Sequence, residues 1–176
     1  MSRKARKIER RLVLPDHTYQ SVYVSKFINY LMVEGKKSIA ETIFYSAMDN
    51  LVENRIREDK TLENSKDILS DEEKKRNFVN SLFIEILNAI RPVARLKSKR
   101  IGGANYQVPI EITRDTSLKI AMKTIIEVSR KKSGKPMAQR LFAEFLNVLN
   151  KEGDAIKQKN EMEKRIESSK AFAHFV

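Results

Sequence analysis

From about residue 21 the apolar positions Val24, Phe27, Ile28, Leu31 and Met32 follow the i, i+3, i+4, i+7, i+8 rule of one helical face, and Gly35 is expected to stop the helix. Ser38 and Glu41 read as a capping box ahead of a second helix, on which Ile39, Ile43, Ala47 and Leu51 recur every fourth residue. A second box, Ser70 and Glu73, precedes the stripe Val79, Leu82, Phe83, Ile86 and Ile90, which Pro92 ends. Asp115 or Thr116 is expected to cap a fourth helix carrying Leu118, Ala121, Met122, Ile125 and Val128. "KKSGKP" breaks that helix, and Pro136 suits the first turn of a fifth, lined by Met137, Leu141, Phe145 and Val148. After Gly153 and Asp154 a heavily charged last helix offers mainly Ile156, Met162 and Ile166, so its anchorage should be thin.

One stretch breaks this period. In "IGGANYQVPIEI" the residues Tyr106, Val108, Ile110 and Ile112 alternate with Gln107, Pro109 and Glu111, which is strand periodicity with one apolar face. Residues 93–101 supply a partner strand, and Gly102 and Gly103 take the positive backbone angles of a hairpin tip. Pro109 confines the ribbon to a place where its missing donor does no harm. Two strands are marginal alone, so the base must pack on helices while the tip projects. Residues 55–76, with balanced acids and bases, read as a solvated connection holding at most a marginal helix. The expected fold is mainly α: a single helical domain of about six helices over residues 14–176, with a protruding two-stranded β-hairpin at about 93–112. A charged insertion falls at about 55–76, and residues 1–13 form a basic extended N-terminal arm.

Composition then limits the chemistry. In 176 residues, 41% hydrophobic, there is material for a real core. Lysines and arginines number 35 against 23 acids, and the resulting charge of +12 points to a polyanionic partner, nucleic acid or an anionic membrane surface. Arg3, Lys4, Arg6, Lys7, Arg10 and Arg11 crowd the first eleven residues against Glu9 alone, as in an arm that orders on its partner. No apolar run approaches a bilayer span, and no apolar segment follows the basic start, so a soluble intracellular protein is expected. With no cysteine there is no disulfide, thiolate nucleophile or sulfur-ligated zinc, and His17 and His174 are poor material for a metal site.

Each candidate site has a plainer role beside the functional one. "EGKKS" is not a phosphate loop, because Tyr30 stands where the pattern needs glycine and a helix stands where it needs a strand. Lys36 and Lys37, next to a helix start, either hold phosphate or are solvated loop lysines. Two adjacent glycines with no helix after them do not make a dinucleotide site. Arg91, Arg95, Lys97, Lys99 and Arg100 put five positive charges and no acid on the first strand of the ribbon, a self-repulsion that favours polyanion contact over a merely solvated edge. Tyr106 either stacks on a base or packs across the strands. His174 fits an aromatic patch with Phe172 and Phe175 better than a general base, and no catalytic constellation or cofactor motif can be assembled. That disfavours an RNA-modifying enzyme, and a membrane-surface protein is disfavoured because no strongly basic amphipathic helix carries large apolar residues opposite.

Several separated segments carry a resemblance: "KFINYLMVEGKKSIAE" at 26–41 with "YSA" at 45–47, "IGGANYQVP" at 101–109, "RLFAE" at 140–144 and "KAFAHF" at 170–175. From "LPD" at residue 14 onward the chain resembles the S-seven family of small-subunit ribosomal proteins in its bacterial or organellar form. The resemblance implies a non-enzymatic structural constituent of the small subunit that binds the three-prime major domain of its ribosomal RNA and nucleates head assembly. It also implies a position near exit-site transfer RNA and messenger RNA, with proteins S-nine and S-eleven as neighbours, in a bacterial cytoplasm or an organelle. Carried over by position, Arg3, Lys4, Arg6, Lys7, Arg10 and Arg11 are arm contacts, and Lys26, Lys36 and Lys37 are helix and loop contacts. Arg95, Lys97, Lys99 and Arg100, with Gly102, Gly103 and Tyr106 at the tip, are ribbon contacts. The connection at 55–76 is longer than usual in that family, and Lys123 and Thr124 stand where it commonly has arginine and tryptophan. On physical grounds the alternative is an architectural DNA-binding protein that lays a basic β-ribbon in a groove.

Overall fold

The structure is a computed structural model and describes residues 11–58 and 71–171. Among them run six helices and one hairpin: α1 (Val22–Leu31), α2 (Lys37–Glu58), α3 (Glu72–Ile90), β1 (Ala94–Ile101), β2 (Ala104–Glu111), α4 (Arg114–Lys131), α5 (Met137–Leu149) and α6 (Asp154–Ser168). The mainly helical fold with a two-stranded antiparallel hairpin matches the periodicity of the sequence.

The apolar stripes of α1, α3, α4 and α5 are buried where the spacing places them. On α2 the stripe is displaced: Ala40, Phe44, Ala47, Met48, Leu51 and Val52 face the core, while Ile39 is 56% exposed and Ile43 only partly covered. Residues 40, 44, 47, 48, 51 and 52 also obey helical spacing, and that face carries the larger payload in Phe44 and Met48. Phe27, Phe44, Phe83 and Phe145 then meet from α1, α2, α3 and α5, with all six ring pairs 5.3 to 6.5 Å apart in edge-on or tilted arrangements. No ring of the four is more than 1% exposed.

Helix boundaries moved where capping was read from pattern alone. α2 begins at Lys37, so Ser38 and Glu41 both lie inside the helix, and Glu41 pairs with Lys37 instead of closing a box. At its other end α2 continues through Arg55, Ile56 and Arg57, shortening the expected connection, of which residues 59–70 lie outside the described ones. α3 is capped by Asp71, not Ser70: its carboxylate takes the amides of Glu73 at 3.0 Å and Lys74 at 3.5 Å, and its charge favours the positive helix end. Thr113 holds the cap position of α4, two or three residues ahead of the expected Asp115 or Thr116. Pro136 likewise precedes α5. α1 stops at Leu31, short of Gly35, which with a φ of 74° turns the chain into α2.

Three helix C-termini receive cations from other elements. Arg130 of α4 donates to the carbonyl of Leu31 at 3.1 Å, Lys159 of α6 to that of Ala89 at 3.0 Å, and Arg140 of α5 to the carbonyls of Arg130 and Lys132. Neither α1 nor α3 has a basic residue in its own last turn, so packing supplies the charge that satisfies the orphan carbonyls. α6 is thinly held, as its composition predicts: Ala155 is its one buried side chain.

Candidate nucleic-acid interface

The ribbon starts from a rigid base. Arg91 ends α3 as its C-cap, and the buried Pro92 accepts the Ser117 hydroxyl of α4 on its carbonyl at 2.5 Å. Arg91 therefore belongs to the helix end and not to the first strand, where it was expected. From Ala94 the two strands pair without a bulge until Ile101 meets Ala104. Gly102 and Gly103 close the loop at φ 56° and 90°, the pair of positive angles that a two-residue turn matched to strand twist requires. Nothing lies within 4 Å of a Cβ built at either glycine, so backbone angle rather than space demands them.

Register decides what each face carries. Arg95 stands opposite Ile110, Lys97 opposite Val108 and Lys99 opposite Tyr106, and directly opposed residues of an antiparallel pair share a face. The basic residues Arg95, Lys97 and Lys99 of β1 and the apolar residues of β2 thus lie on the same face of the ribbon. Val108 is only 2% exposed, while Arg95, Lys97 and Lys99 are exposed, as expected of long stems that cover apolar surface and keep charged heads in water. Arg100, opposite Asn105, points to the other face; that face also holds Glu111, the ribbon's one acid, at the base opposite Ala94. β1 packs against α6, and the described side chains from Ser98 to Asn105 are all exposed, so the base is held and the tip stands clear. Tyr106 is half-buried beside the tip.

Lys26 lies elsewhere, half-buried on α1 in a cleft of about 250 Å³ between α1 and α4, lined also by Tyr23, Tyr30, Lys119 and Met122. One turn on, the Lys123 ammonium sits 5.9 Å from the centre of the Tyr30 ring, within range of a cation–π attraction. Lys36 and Lys37 are exposed at the start of α2, paired with Glu34 at 2.9 Å and Glu41 at 3.6 Å. Such surface pairs are worth about 1 kcal/mol or less, so a phosphate can replace either partner at small cost. Arg11 is exposed; Arg3, Lys4, Arg6, Lys7 and Arg10 lie outside the described residues, as does His174. His17 is exposed against the Thr18 hydroxyl, and among the described residues no three His, Cys, Asp or Glu side chains gather as a metal site. No described helix is long and apolar enough to cross a membrane.

The family model for ribosomal protein S7p/S5e matches residues 2–170 of the chain. The chain belongs to that family. It is 41% identical over 175 residues to the small ribosomal subunit protein uS7 of Gemmatimonas aurantiaca, covering 99% of each chain. It is 38% identical to the uS7 protein of Desulfotalea psychrophila, again over 99% of each, and 37% identical to that of Vibrio campbellii over 98% of this chain and 97% of the relative. As a ribosomal S7p/S5e protein it is a structural constituent of the small subunit and not an enzyme. The S7p/S5e chain also presents residues that sequence reasoning passed over: Tyr23, Tyr30 and Lys119 around Lys26, with Lys123 noted only as a departure from the family. Their signal was the i, i+4 spacing of Lys119 and Lys123 on the polar side of α4, legible only once α1 is known to lie against it.

Proposed function

We propose that this S7p/S5e protein binds the three-prime major domain of small-subunit ribosomal RNA and starts assembly of the head, with its ribbon reaching towards exit-site transfer RNA and messenger RNA. Residues 1–13 act as the basic arm and residues 14–176 as one helical domain. Small-subunit proteins S-nine and S-eleven are its neighbours in this reading. The observation that carries it is the register of the ribbon, which gives Arg95, Lys97 and Lys99 to one face of a hairpin whose tip stands clear of the helices. Three exposed cations at alternate positions space their charges along the strand, suited to successive phosphates, and the tip sequence itself contributes no acid. Lys26, Lys36, Lys37, Arg100 and the arm, Arg3 to Arg11, extend the contact, while Gly102, Gly103 and Tyr106 shape the tip. Recognition of this kind rests on RNA shape and backbone rather than on base edges.

The test is a titration of the full chain against three-prime major domain RNA and against duplex DNA of equal length over a range of salt. Tighter binding to the RNA is expected, with log affinity falling by roughly 0.7 to 0.9 per phosphate contact for each decade of salt, and removing Arg95, Lys97 and Arg100 together should flatten that slope. Equal affinity for the duplex DNA would overturn the reading.

A further inference from the structure

Arg140 and Glu144 stand one turn apart on α5, and each reaches the end of a different neighbouring helix. The Arg140 guanidinium donates to the carbonyls of Arg130, at 3.3 Å, and of Lys132, the C-cap of α4. Glu144 is 0% exposed; one oxygen accepts the amide of Ala155 in the first turn of α6 at 2.9 Å, and the other is paired with the Lys132 ammonium. A cation therefore meets the negative end of one helix and an anion the positive end of the next. Gly153, the cap residue of α6, has no side chain to offer, so the Ala155 amide, which has no acceptor within its own helix, depends on Glu144. The chain also needs glycine there: φ is 94°, and a Cβ would lie 2.8 Å from Cβ of Asn147 on α5. Beyond Ala155, α6 offers the core only half-buried side chains and the Lys159 bond to the Ala89 carbonyl, so this junction holds its N-terminal end.

We infer that Arg140 and Glu144 form a brace that positions α6, and through it the base of the ribbon, since α6 lies against β1. Glu144 acts on α6 through a hydrogen bond and on α4 through an ion pair; its own carboxylate is fully buried, while the Lys132 end of the pair is partly exposed. The brace depends on no RNA contact and stands whether or not the RNA reading does.

Residue-resolved amide exchange by NMR on the full chain tests it. In the parent protein the Ala155 amide should exchange slowly although it begins a helix. In Glu144→Ala it should exchange about tenfold or more faster, together with the rest of α6, while α1, α2 and α3 stay within about twofold. Glu144→Gln, which keeps an oxygen for Ala155, should restore protection at that amide. Lys132→Met, at a partly exposed site and so tolerable to the fold, should speed exchange in α6 without touching α1. A fast Ala155 amide in the parent would overturn the brace, as would acceleration spread evenly over all six helices in Lys132→Met, because Glu144 would then be holding the core at large rather than α6.

Discussion

Asp16 is buried, and a buried carboxylate has to find donors: the amides of Thr18 and Tyr19, both at 3.1 Å, bond one oxygen, and the Tyr45 hydroxyl bonds the other at 2.8 Å. This small network ties the segment before α1 to the middle of α2, and Asn80 of α3 adds a bond to the Tyr19 carbonyl at 2.9 Å. Burial pushes the Tyr45 phenol from its ordinary value of 10.0 up to about 12, helped by the Asp16 carboxylate, and burial with the nearby Asp49 pushes Tyr19 up as well. A phenol whose folded value lies above its unfolded value stabilises the fold while it keeps its proton. That contribution is complete below about pH 10 and is lost as pH rises through about 12. Tyr45→Phe should therefore cost about 1 to 3 kcal/mol at neutral pH, through the Asp16 bond, and should reduce the loss of stability between pH 10 and pH 12. Denaturant titrations of parent and variant at several pH values measure both; an unchanged pH slope would show that Tyr45 does not carry it.

At the scale of elements, helices here complete one another. The carbonyl ends of α1, α3 and α4 are met by Arg130, Lys159 and Arg140, each from a different helix, so these three ends are completed by their neighbours. The ribbon is the opposite case, since its ladder is internal and its tip is exposed. Replacing residues 99–106 by a short turn should leave the helical circular dichroism of the chain unchanged and shift its melting temperature by only a few degrees, roughly the effect of 1 kcal/mol. Under the proposed function it should leave RNA assembly largely intact and disturb events at the exit site. Loss of helical signal in that variant would mean that the ribbon holds the core together.

At the scale of the whole molecule, stability converges on four phenylalanine rings supplied by four helices. Phe44→Ala would open a cavity touched by α1, α2, α3 and α5 at once, at a cost of about 3 to 5 kcal/mol, against a total stability typically of 5 to 15. Urea unfolding followed by circular dichroism should show the midpoint fall in one cooperative step. Ile39→Ala on the exposed side of α2 should change it by less than about 0.5 kcal/mol, and a comparable loss at both positions would contradict the burial pattern.

Periodicity alone was enough to find α1, α3, α4, α5, the hairpin and its glycine tip, because those signals are local: 3.6-residue spacing, strict alternation, and a backbone angle that only glycine adopts freely. Charge pointed to a polyanion for the same reason, since net charge needs no fold. Position within the fold decided the rest. Two helical faces of α2 satisfy the same spacing, and only the arrival of Phe27, Phe83 and Phe145 selects the one with Phe44. Strand register, which depends on pairing between segments, put Arg95, Lys97 and Lys99 on the apolar face. Distant segments packed in space brought Lys119 to the cleft of Lys26 and Lys123 to the Tyr30 ring, and gave the buried Glu144 both its cation and its amide.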